Sequence, residues 1–257
     1  MPDATRRAAL VTGGGSGIGE AVARRLAAQG VAVALVGRRR DALDAVVSSI
    51  VASGGTAVAL PADLIDRDAP RAVVAGTLRA FGRLDVLVNN AGLTSITPLP
   101  EITPEQFERE FAVNVRAPLF LAQAALDALR ESASGCIVNV SSASAWLYRP
   151  GQSVYGTTKA AVEYLTRSLA AELAADGIRV NAVVPGPTTT DIHLQWDGEI
   201  EETRAYLARM TPLGRMGTAA EVATWIVRLT EDDASWVTGS VLHVDGGRTL
   251  GAPPGTA

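Results

Sequence analysis

The sequence is poor in the residues on which disulfide-stabilised and metal-binding proteins depend. Its 257 residues include a single cysteine, Cys136, so no disulfide can form within the chain. That cysteine lies in an apolar run ending at Val140, which predicts a reduced core residue rather than a reactive thiol. The two histidines have no carboxylate pair at ligand spacing, so we predict no metal site and expect His243 to be structural.

Two further absences argue against macromolecular partners. The formal net charge is −4, and no basic run is interleaved with aromatic residues, so the chain lacks a basic surface suited to a nucleic-acid backbone. The first residues, up to Thr12, contain too short an apolar run for a signal peptide or a membrane span. We therefore expect a cytoplasmic protein that acts on a small molecule and binds neither nucleic acid nor membrane.

The sequence does have a regular alternation of two kinds of segment. Short apolar or β-branched runs predict strands at Ala8–Thr12, Val31–Val36, Thr56–Leu60, Asp85–Val88, Cys136–Val140, Ile178–Val184 and Ser240–Val244. Between most of them, helical spacing predicts helices near 17–29, 41–53, 66–82, 104–130, 153–176 and 218–230. We predict an α/β fold, a single doubly wound Rossmann domain over 1–257, with a parallel sheet of about seven strands and helices on both faces.

Two segments depart from this alternation. Residues 188–218 are polar, acidic and aromatic, and an insertion late in such a sheet predicts a lid over a substrate site. Residues 250–257 are rich in glycine and proline, which predicts a flexible tail. The chain has no internal repeat and no interdomain linker, which favours one domain.

A glycine-rich turn follows the first predicted strand. It runs from Thr12 to Gly19 and leads directly into an amphipathic helix. Glycines allow the backbone to turn sharply and to approach a pyrophosphate, whose charge is stabilised by the N–H groups at a helix start. A glycine cluster alone also suits an ordinary turn, but its place between a first strand and a helix favours a dinucleotide site.

Lysine is the scarcest basic residue. Among 23 lysines and arginines, Lys159 is the one lysine, and it stands four residues after Tyr155, one of four tyrosines. Residues at this spacing lie on the same side of a helix. An ammonium beside a phenol favours the phenolate and lowers the phenol pKa, which suits proton transfer. A surface lysine is the plainer alternative, but arginine could not supply a compact ammonium, so we predict a catalytic pair.

Four motifs in a fixed order carry a resemblance to a known family. They are the turn Thr12–Gly19, the segment Asn89–Gly92, Ser142, and the Tyr155–Lys159 segment that begins thirteen residues later. On these motifs the chain resembles the short-chain dehydrogenase/reductase family over essentially its whole length. The resemblance implies an oxidoreductase that transfers a hydride between a nicotinamide cofactor and a ketone or secondary alcohol.

The resemblance also implies four catalytic residues. Tyr155 would be the general acid and base, and Ser142 would hold the substrate oxygen. Lys159 would bind the nicotinamide ribose and tune Tyr155, while Asn114 would position a water that connects Lys159 with solvent. Without the resemblance, Ser142 could equally be a strand terminus, and Asn114 would remain open.

The other expected contacts form two groups. The predicted cofactor residues are Thr12, Gly13, Gly15, Ser16, Gly17, Ile18, Gly19, Gly37, Arg38, Arg39, Asp63, Leu64, Asn90, Ala91, Gly92, Tyr155, Lys159, Pro185, Gly186, Thr188 and Thr190. Among them Asp63 resembles the family's adenine contact, although an acid in a loop is also common as a solvated or capping residue. Apolar and aromatic side chains predict a substrate pocket formed by Leu93, Ser142, Trp146, Leu147, Tyr148, Ile192 and Trp196.

The segment after the second strand predicts which nicotinamide cofactor binds. Sheets of this type that prefer NAD place an acidic side chain there, whereas a 2′-phosphate requires that acid to be absent and a cation to be near. Here Gly37 is followed by Arg38, Arg39 and Arg40. We predict NADP(H), with Arg38 as the first phosphate ligand and Arg39 as the second. The alternative is a solvated basic cluster facing the acidic residues of the next helix.

Two other functions remain open. Within the family, the chain could reduce a 3-oxoacyl thioester on an acyl carrier protein. Acidic side chains of the predicted lid would repel an acidic carrier; they are Asp191, Asp197, Glu199, Glu201 and Glu202. From a different class, the chain could be a catalytically silent NADP(H)-sensing regulator, which would have no need of the catalytic residues together.

The helix predicted at 153–176 indicates self-association. From Thr158 to Leu173 it is apolar or small around much of its circumference. A helix that packs only on a sheet shows a single apolar stripe. The second face suits a partner helix, and the family resemblance implies a homotetramer.

Overall fold

Seven parallel strands form the central sheet of the protein. The computed structural model describes residues 6–189 and 200–251. The strands of the sheet are β1 (Ala8–Thr12), β2 (Ala32–Gly37), β3 (Ala57–Pro61), β4 (Val86–Asn89), β5 (Cys136–Val140), β6 (Arg179–Pro185) and β9 (Val241–Val244). Each begins and ends within one residue of its predicted segment, because a strand buried on both faces is a continuous apolar run. The predicted α/β fold is confirmed.

Eight α-helices accompany the strands within the described part of the chain. They are α1 (Gly17–Ala28), α2 (Arg40–Ala52), α3 (Ala69–Phe81), α4 (Pro104–Phe111), α5 (Ala117–Arg130), α6 (Ser153–Leu173), α7 (Ile200–Arg209) and α8 (Ala219–Arg228). The single helix predicted at 104–130 is interrupted by a π-helical turn, Ala112–Arg116, between α4 and α5. Helix α7 lies in the predicted lid, where the polar composition gave no sign of a helix.

The order of the strands locates the binding edge of the sheet. The order is β3-β2-β1-β4-β5-β6-β9, and every neighbouring pair is parallel. The chain starts in the middle at β1, builds outward to β3, and then returns to place β4 on the other side of β1. In open sheets of this kind, ligands bind at the carboxyl ends of the strands where the order reverses.

Helices cover both faces of the sheet. In β1, Val11 packs with residues of α1, α2 and α8, whereas its neighbour Leu10 packs with residues of α3, α5 and α6. Successive side chains of a strand point to opposite faces, so both faces belong to the core. Cys136 in β5 is fully buried, and burial raises the pKa of its thiol to about 11. This confirms the prediction that Cys136 is a core residue.

The predicted lid, 188–218, is described in part. Strand β7 (Thr188–Thr189) pairs with β8 (Gly217–Thr218), and α7 lies between them in sequence. Residues 190–199 and residues 252–257 of the predicted tail are outside the described residues. Within the described ranges, the helices are too short or too polar to span a lipid bilayer.

Candidate active site

A cavity of about 800 Å³ lies at the carboxyl ends of the central strands. Its volume is within the usual range of sites for small molecules and cofactors. One end is formed by the glycine turn and the residues after β2, and the other end includes Ser142 and Tyr155. The fold therefore places the two ends of the predicted site in one continuous cavity.

The glycine turn leaves a helix start facing this cavity. Gly13 and Gly17 have φ angles of 66° and 56°, which side chains rarely allow. A Cβ on Gly13 would also lie 2.7 Å from Nδ2 of Asn90. Ser16 precedes α1 but makes no capping hydrogen bond with its side chain, and Ser16, Gly17 and Ile18 line the cavity. The free N–H groups of α1 thus suit the pyrophosphate of a dinucleotide.

Thr12 and Gly19 do not line the cavity, and direct contact of either residue with the cofactor stays a prediction. Thr12 is buried, and its Oγ1 accepts hydrogen bonds from the backbone N–H groups of Asn90 and Ala91, both at 3.0 Å. A Cβ on Gly19 would lie 2.2 Å from the carbonyl oxygen of Gly13. Both residues fix the backbone that carries the cofactor residues. The amide of Asn90 completes this bracing by donating to the carbonyl oxygen of Thr12 at 2.8 Å.

The three arginines after β2 have different environments. Gly37, Arg38 and Arg39 line the cavity, and both arginines are exposed. Neither forms an ion pair with any described residue. Arg40 does not line the cavity, and its Nε lies 3.0 Å from Oδ2 of Asp44. Arg40 therefore pairs with an acidic residue of α2, as the alternative of a solvated basic cluster predicted. Arg38 and Arg39 are available to bind an anion.

Most of the other predicted cofactor residues also line the cavity. They are Gly13, Gly15, Asp63, Leu64, Asn90, Ala91, Gly92, Pro185, Gly186 and Thr188, together with Tyr155 and Lys159. The Asp63 carboxylate accepts a hydrogen bond from the backbone N–H of Ile65 at 3.0 Å, which fixes its loop. Thr190 lies outside the described residues.

Ser142, Tyr155 and Lys159 meet in the cavity. Ser142 begins the short 3₁₀ helix Ala143–Ala145 after β5, and its hydroxyl shares a hydrogen bond with the side chain of Tyr155. Tyr155 lies in the first turn of α6, and Lys159 lies one turn later. The Lys159 ammonium donates to the carbonyl oxygen of Val140 at 2.8 Å and lies 5.8 Å from the centroid of the Tyr155 ring.

Burial dominates the protonation of both groups. It raises the pKa of the Tyr155 phenol, and the hydrogen bond with Ser142 offsets part of that rise. It also lowers the pKa of Lys159 to about 8. The sequence predicts that the ammonium lowers the phenol pKa, but the net direction in the structure is upward, because burial of the phenol has the largest effect. At neutral pH Tyr155 is a phenol, the form that can donate a proton.

Asn114 lies in the π-helical turn and does not line the cavity. Its Oδ1 accepts from the backbone N–H of Leu93 at 2.8 Å. Its Nδ2 donates to the Leu93 carbonyl at 2.8 Å and to Oγ1 of Thr158 at 2.9 Å. Asn114 therefore holds the loop after β4 against α6. π turns are frequent at functional sites, but the sequence periodicity gave no sign of this one.

Trp146 is not among the residues that line the cavity, and its place in the substrate pocket stays a prediction. Its Nε1 donates to both carboxylate oxygens of Glu163 at 3.0 Å. Glu163 is a buried carboxylate that also accepts from Oγ of Ser141 at 2.7 Å. The indole and the His243 ring pack edge to face, with centroids 5.0 Å apart. A buried carboxylate requires donors, and this requirement holds the indole N–H of Trp146 against Glu163.

Four predicted substrate residues do line the cavity: Leu93, Ser142, Leu147 and Tyr148. Ile192 and Trp196 lie outside the described residues. Sequence reasoning missed Tyr206 and Leu207 on α7, Gln152, and the two arginines Arg149 and Arg248. Tyr206, Leu207 and Arg248 are distant from the motifs along the chain, so no local pattern connects them with the site. Arg149 and Gln152 lie between Ser142 and Tyr155 but belong to neither motif.

A buried acid near Tyr155 was also missed. Glu110 at the end of α4 is 2% exposed, and its Oε1 accepts from the hydroxyl of Ser95. Its Oε2 is buried without a hydrogen-bond partner among the described residues. Burial raises the pKa of Glu110, and a negative charge there would raise the pKa of Tyr155. Among the described residues, no cluster of histidine, cysteine or carboxylate side chains could hold a metal ion.

Characterised and uncharacterised oxidoreductases are similar to this chain over almost its full length. The chain is 40% identical over 242 residues to an uncharacterised oxidoreductase of Methylorubrum extorquens, covering 94% of this chain and 97% of the relative. It is 37% identical over 255 residues to versicolorin reductase 1 of Aspergillus parasiticus, covering 94% and 95%. It is 37% identical over 243 residues to the 3-oxoacyl-[acyl-carrier-protein] reductase of Staphylococcus aureus, covering 94% and 97%.

Solved structures agree with this relationship. A short-chain dehydrogenase/reductase of Serratia marcescens superimposes with a TM-score of 0.88 at 34% identity, covering 95% of this chain and 98% of that one. A blue fluorescent protein from a metagenomic library, solved with NADPH, gives a TM-score of 0.88 at 37% identity, covering 94% and 97%. A family model described as enoyl-(acyl carrier protein) reductase matches residues 13–249. The chain belongs to the short-chain dehydrogenase/reductase family and is an oxidoreductase.

Proposed function

We propose that the protein is an NADP(H)-dependent oxidoreductase that interconverts a ketone and a secondary alcohol, with Tyr155 as the general acid and base. The observation that carries this proposal is the meeting of Ser142, Tyr155 and Lys159 in a cavity that continues to the glycine turn. A regulator that only sensed the cofactor would not need a proton donor at this position.

The residues present fit a dinucleotide. Its pyrophosphate would lie at the uncapped start of α1, and Gly92 and Lys159 would border the nicotinamide ribose. Gly186 and Thr188 would hold the carboxamide. When bound, the reduced nicotinamide supplies the hydride that adds to the carbonyl carbon and breaks the π bond to oxygen.

The protein's own groups manage the charge that develops on that oxygen. The Ser142 hydroxyl would donate a hydrogen bond to it, and Tyr155 would transfer its phenolic proton to it, which completes the alcohol. The phenolate left on Tyr155 is stabilised by Ser142 and by the nearby ammonium of Lys159 until solvent returns a proton. The ordinary pKa of a phenol is above neutral pH, and burial raises that of Tyr155 further, so the resting site holds the proton that carbonyl reduction requires.

Three observations support NADP(H) over NAD(H). Gly37 leaves no acid at the end of β2, and Arg38 and Arg39 line the cavity without ion-pair partners among the described residues. A metagenomic relative at 37% identity was solved with NADPH. A 2′-phosphate would supply the anion that the two arginines lack.

We also retain the predicted lid and the predicted homotetramer as parts of the proposal. Tyr206 and Leu207 of α7 line the cavity, which supports a lid function for residues 188–218. Tyr164 on α6 is 71% exposed, and Phe107 on α4 and Phe120 on α5 are also exposed. An apolar surface of this kind favours helix packing between subunits.

Reduction of a 3-oxoacyl thioester on a carrier protein is the second candidate. One relative at 37% identity carries that name, but versicolorin reductase 1 is equally similar. Glu201 and Glu202 at the start of α7 would oppose an acidic carrier at the entrance. A small ketone is therefore the substrate class that we favour.

Substitution of Tyr155 by phenylalanine tests the proposal. Tyr155→Phe keeps the ring but removes the proton, so turnover of a panel of ketones with NADPH should fall by at least about a hundredfold, the usual contribution of a positioned acid. The affinity for NADPH should be unchanged. The matched control is Tyr164→Phe, at the exposed position on the same helix, which should retain turnover. Near-normal turnover by Tyr155→Phe would refute the assignment.

A further inference from the structure

The substrate end of the cavity contains a cation that the proposed reaction does not use. Arg248 follows β9 and lines the same cavity as Tyr155, Tyr206 and Leu207. Apolar and aromatic residues line this cavity, as do the polar Gln152 and a second arginine, Arg149. A guanidinium at this place is costly unless an anion accompanies it, because it is partly removed from water.

Arg248 is held by a rigid turn. The buried Asp245 carboxylate accepts hydrogen bonds from the backbone N–H groups of Gly247, at 2.9 Å, and Thr249, at 2.8 Å. It also accepts from the Thr249 hydroxyl at 2.7 Å. On the other side, the backbone N–H of Leu213 donates to the carbonyl of Gly246 at 3.1 Å. The backbone of Arg248 is therefore positioned before any substrate binds.

No described carboxylate compensates the charge of Arg248. The Asp245 carboxylate, in the same turn, accepts its hydrogen bonds from Gly247 and Thr249 and forms no ion pair with Arg248. Asp63 is the one carboxylate among the described cavity residues, and it lies with the glycine turn at the opposite, cofactor end. Away from the glycine turn, the described wall thus contains two arginines, Arg149 and Arg248, and no carboxylate.

We propose that Arg248 binds a carboxylate on the substrate, so that the preferred substrates are oxo acids rather than neutral ketones. The planar guanidinium can donate two parallel hydrogen bonds to one carboxylate, which both binds and orients it. The apolar wall would contact the carbon chain between the carboxylate and the reacting carbonyl. This inference rests on the proposed function, since it names the substrate class of the same site.

The test compares charged and neutral forms of the same ketone. Oxo acids with the carbonyl at carbon 2, 3, 4 or 5 are each assayed against their ethyl esters with NADPH. For at least one chain length, wild-type kcat/KM should favour the acid by about tenfold or more, the scale of a hydrogen bond to a charged group. Arg248→Ala should abolish this preference, because kcat/KM for the acid falls more than kcat/KM for the ester, and Arg248→Lys should retain part of it.

Two controls keep the result specific. Arg130→Ala removes an exposed arginine that pairs with Asp176 at 3.0 Å and does not line the cavity, so the acid preference should persist. Calorimetric titration of each oxo acid into the protein saturated with NADP⁺ measures binding without turnover, and Arg248→Ala should weaken it about tenfold.

The outcomes separate the two proposals. Equal kcat/KM for acids and esters in the wild type, or equal losses for both in Arg248→Ala, would overturn the role of Arg248 while ketone reduction stands. Oxo acids that bind wild type and Arg248→Ala with the same affinity would also overturn it. Absence of turnover with every carbonyl would instead count against the proposed function, and the calorimetric result would still decide the role of Arg248.

Discussion

The sharpest prediction concerns Arg38 and the choice between NADPH and NADH. Arg38 lines the cavity next to Gly37 and has no ion-pair partner among the described residues, so its guanidinium is available to a 2′-phosphate. A hydrogen bond to a charged group contributes about 1.5–3 kcal/mol. Because Arg38 is exposed, screening by solvent favours the lower end, about 1.5 kcal/mol, or about tenfold in affinity.

Fluorescence titration of the reduced cofactors measures this effect directly. Arg38→Ala should raise the Kd of NADPH about tenfold and leave the Kd of NADH unchanged, and the difference should shrink as salt is added. Arg40→Ala is the matched control, because Arg40 pairs with Asp44 and does not line the cavity. It should alter neither Kd. Equal losses for both cofactors, or a wild type that binds NADH more tightly, would refute the reasoning.

Gly37 offers the converse experiment. A Cβ at Gly37 would meet the side chain of Leu43 at 3.4 Å, an ordinary contact, so an aspartate can be accommodated. Gly37→Asp would place a carboxylate where the 2′-phosphate is expected and should weaken NADPH binding by repulsion. An unchanged preference in this variant would place the phosphate elsewhere.

Two further predictions concern buried ionisable groups, and measurement of Tm as a function of pH tests both. Lys159→Met should abolish turnover yet raise Tm at pH 7. Burial lowers the pKa of Lys159 to about 8, below its ordinary value, so the unfolded chain binds the proton more tightly than the folded protein does. The resulting loss of folding stability is complete below pH 8 and fades as the pH rises towards the ordinary value. A gain in Tm that does not shrink with rising pH would contradict this. Glu110→Gln should leave Tm unchanged near pH 4 and raise it at pH 7. Burial raises the pKa of Glu110, so the wild type loses stability as the pH rises from the ordinary glutamate pKa to the raised one. An equal difference at both pH values would instead indicate a packing effect.

Several features of the protein were determined by local sequence. The continuous apolar runs placed every strand of the sheet to within one residue, because burial on both faces requires that pattern. The glycine turn was recognisable because its backbone angles exclude side chains at Gly13 and Gly17. The spacing of four residues predicted that Lys159 lies on the same side of a helix as Tyr155, because residues four apart share one side of a helix.

Other features were decided by the tertiary structure alone. Thr12 begins the glycine turn and Trp146 follows Ser142 closely in sequence, but neither lines the cavity. The hydrogen-bond partners of Thr12 come from the loop after β4, and that of Trp146 comes from α6. The protonation of Tyr155 depends on how much water is excluded around it, which spacing does not encode. Arg248 enters the substrate end from a turn far along the chain from the motifs. Periodicity records which residues share a face of one element, whereas contact and desolvation depend on which elements later pack around them.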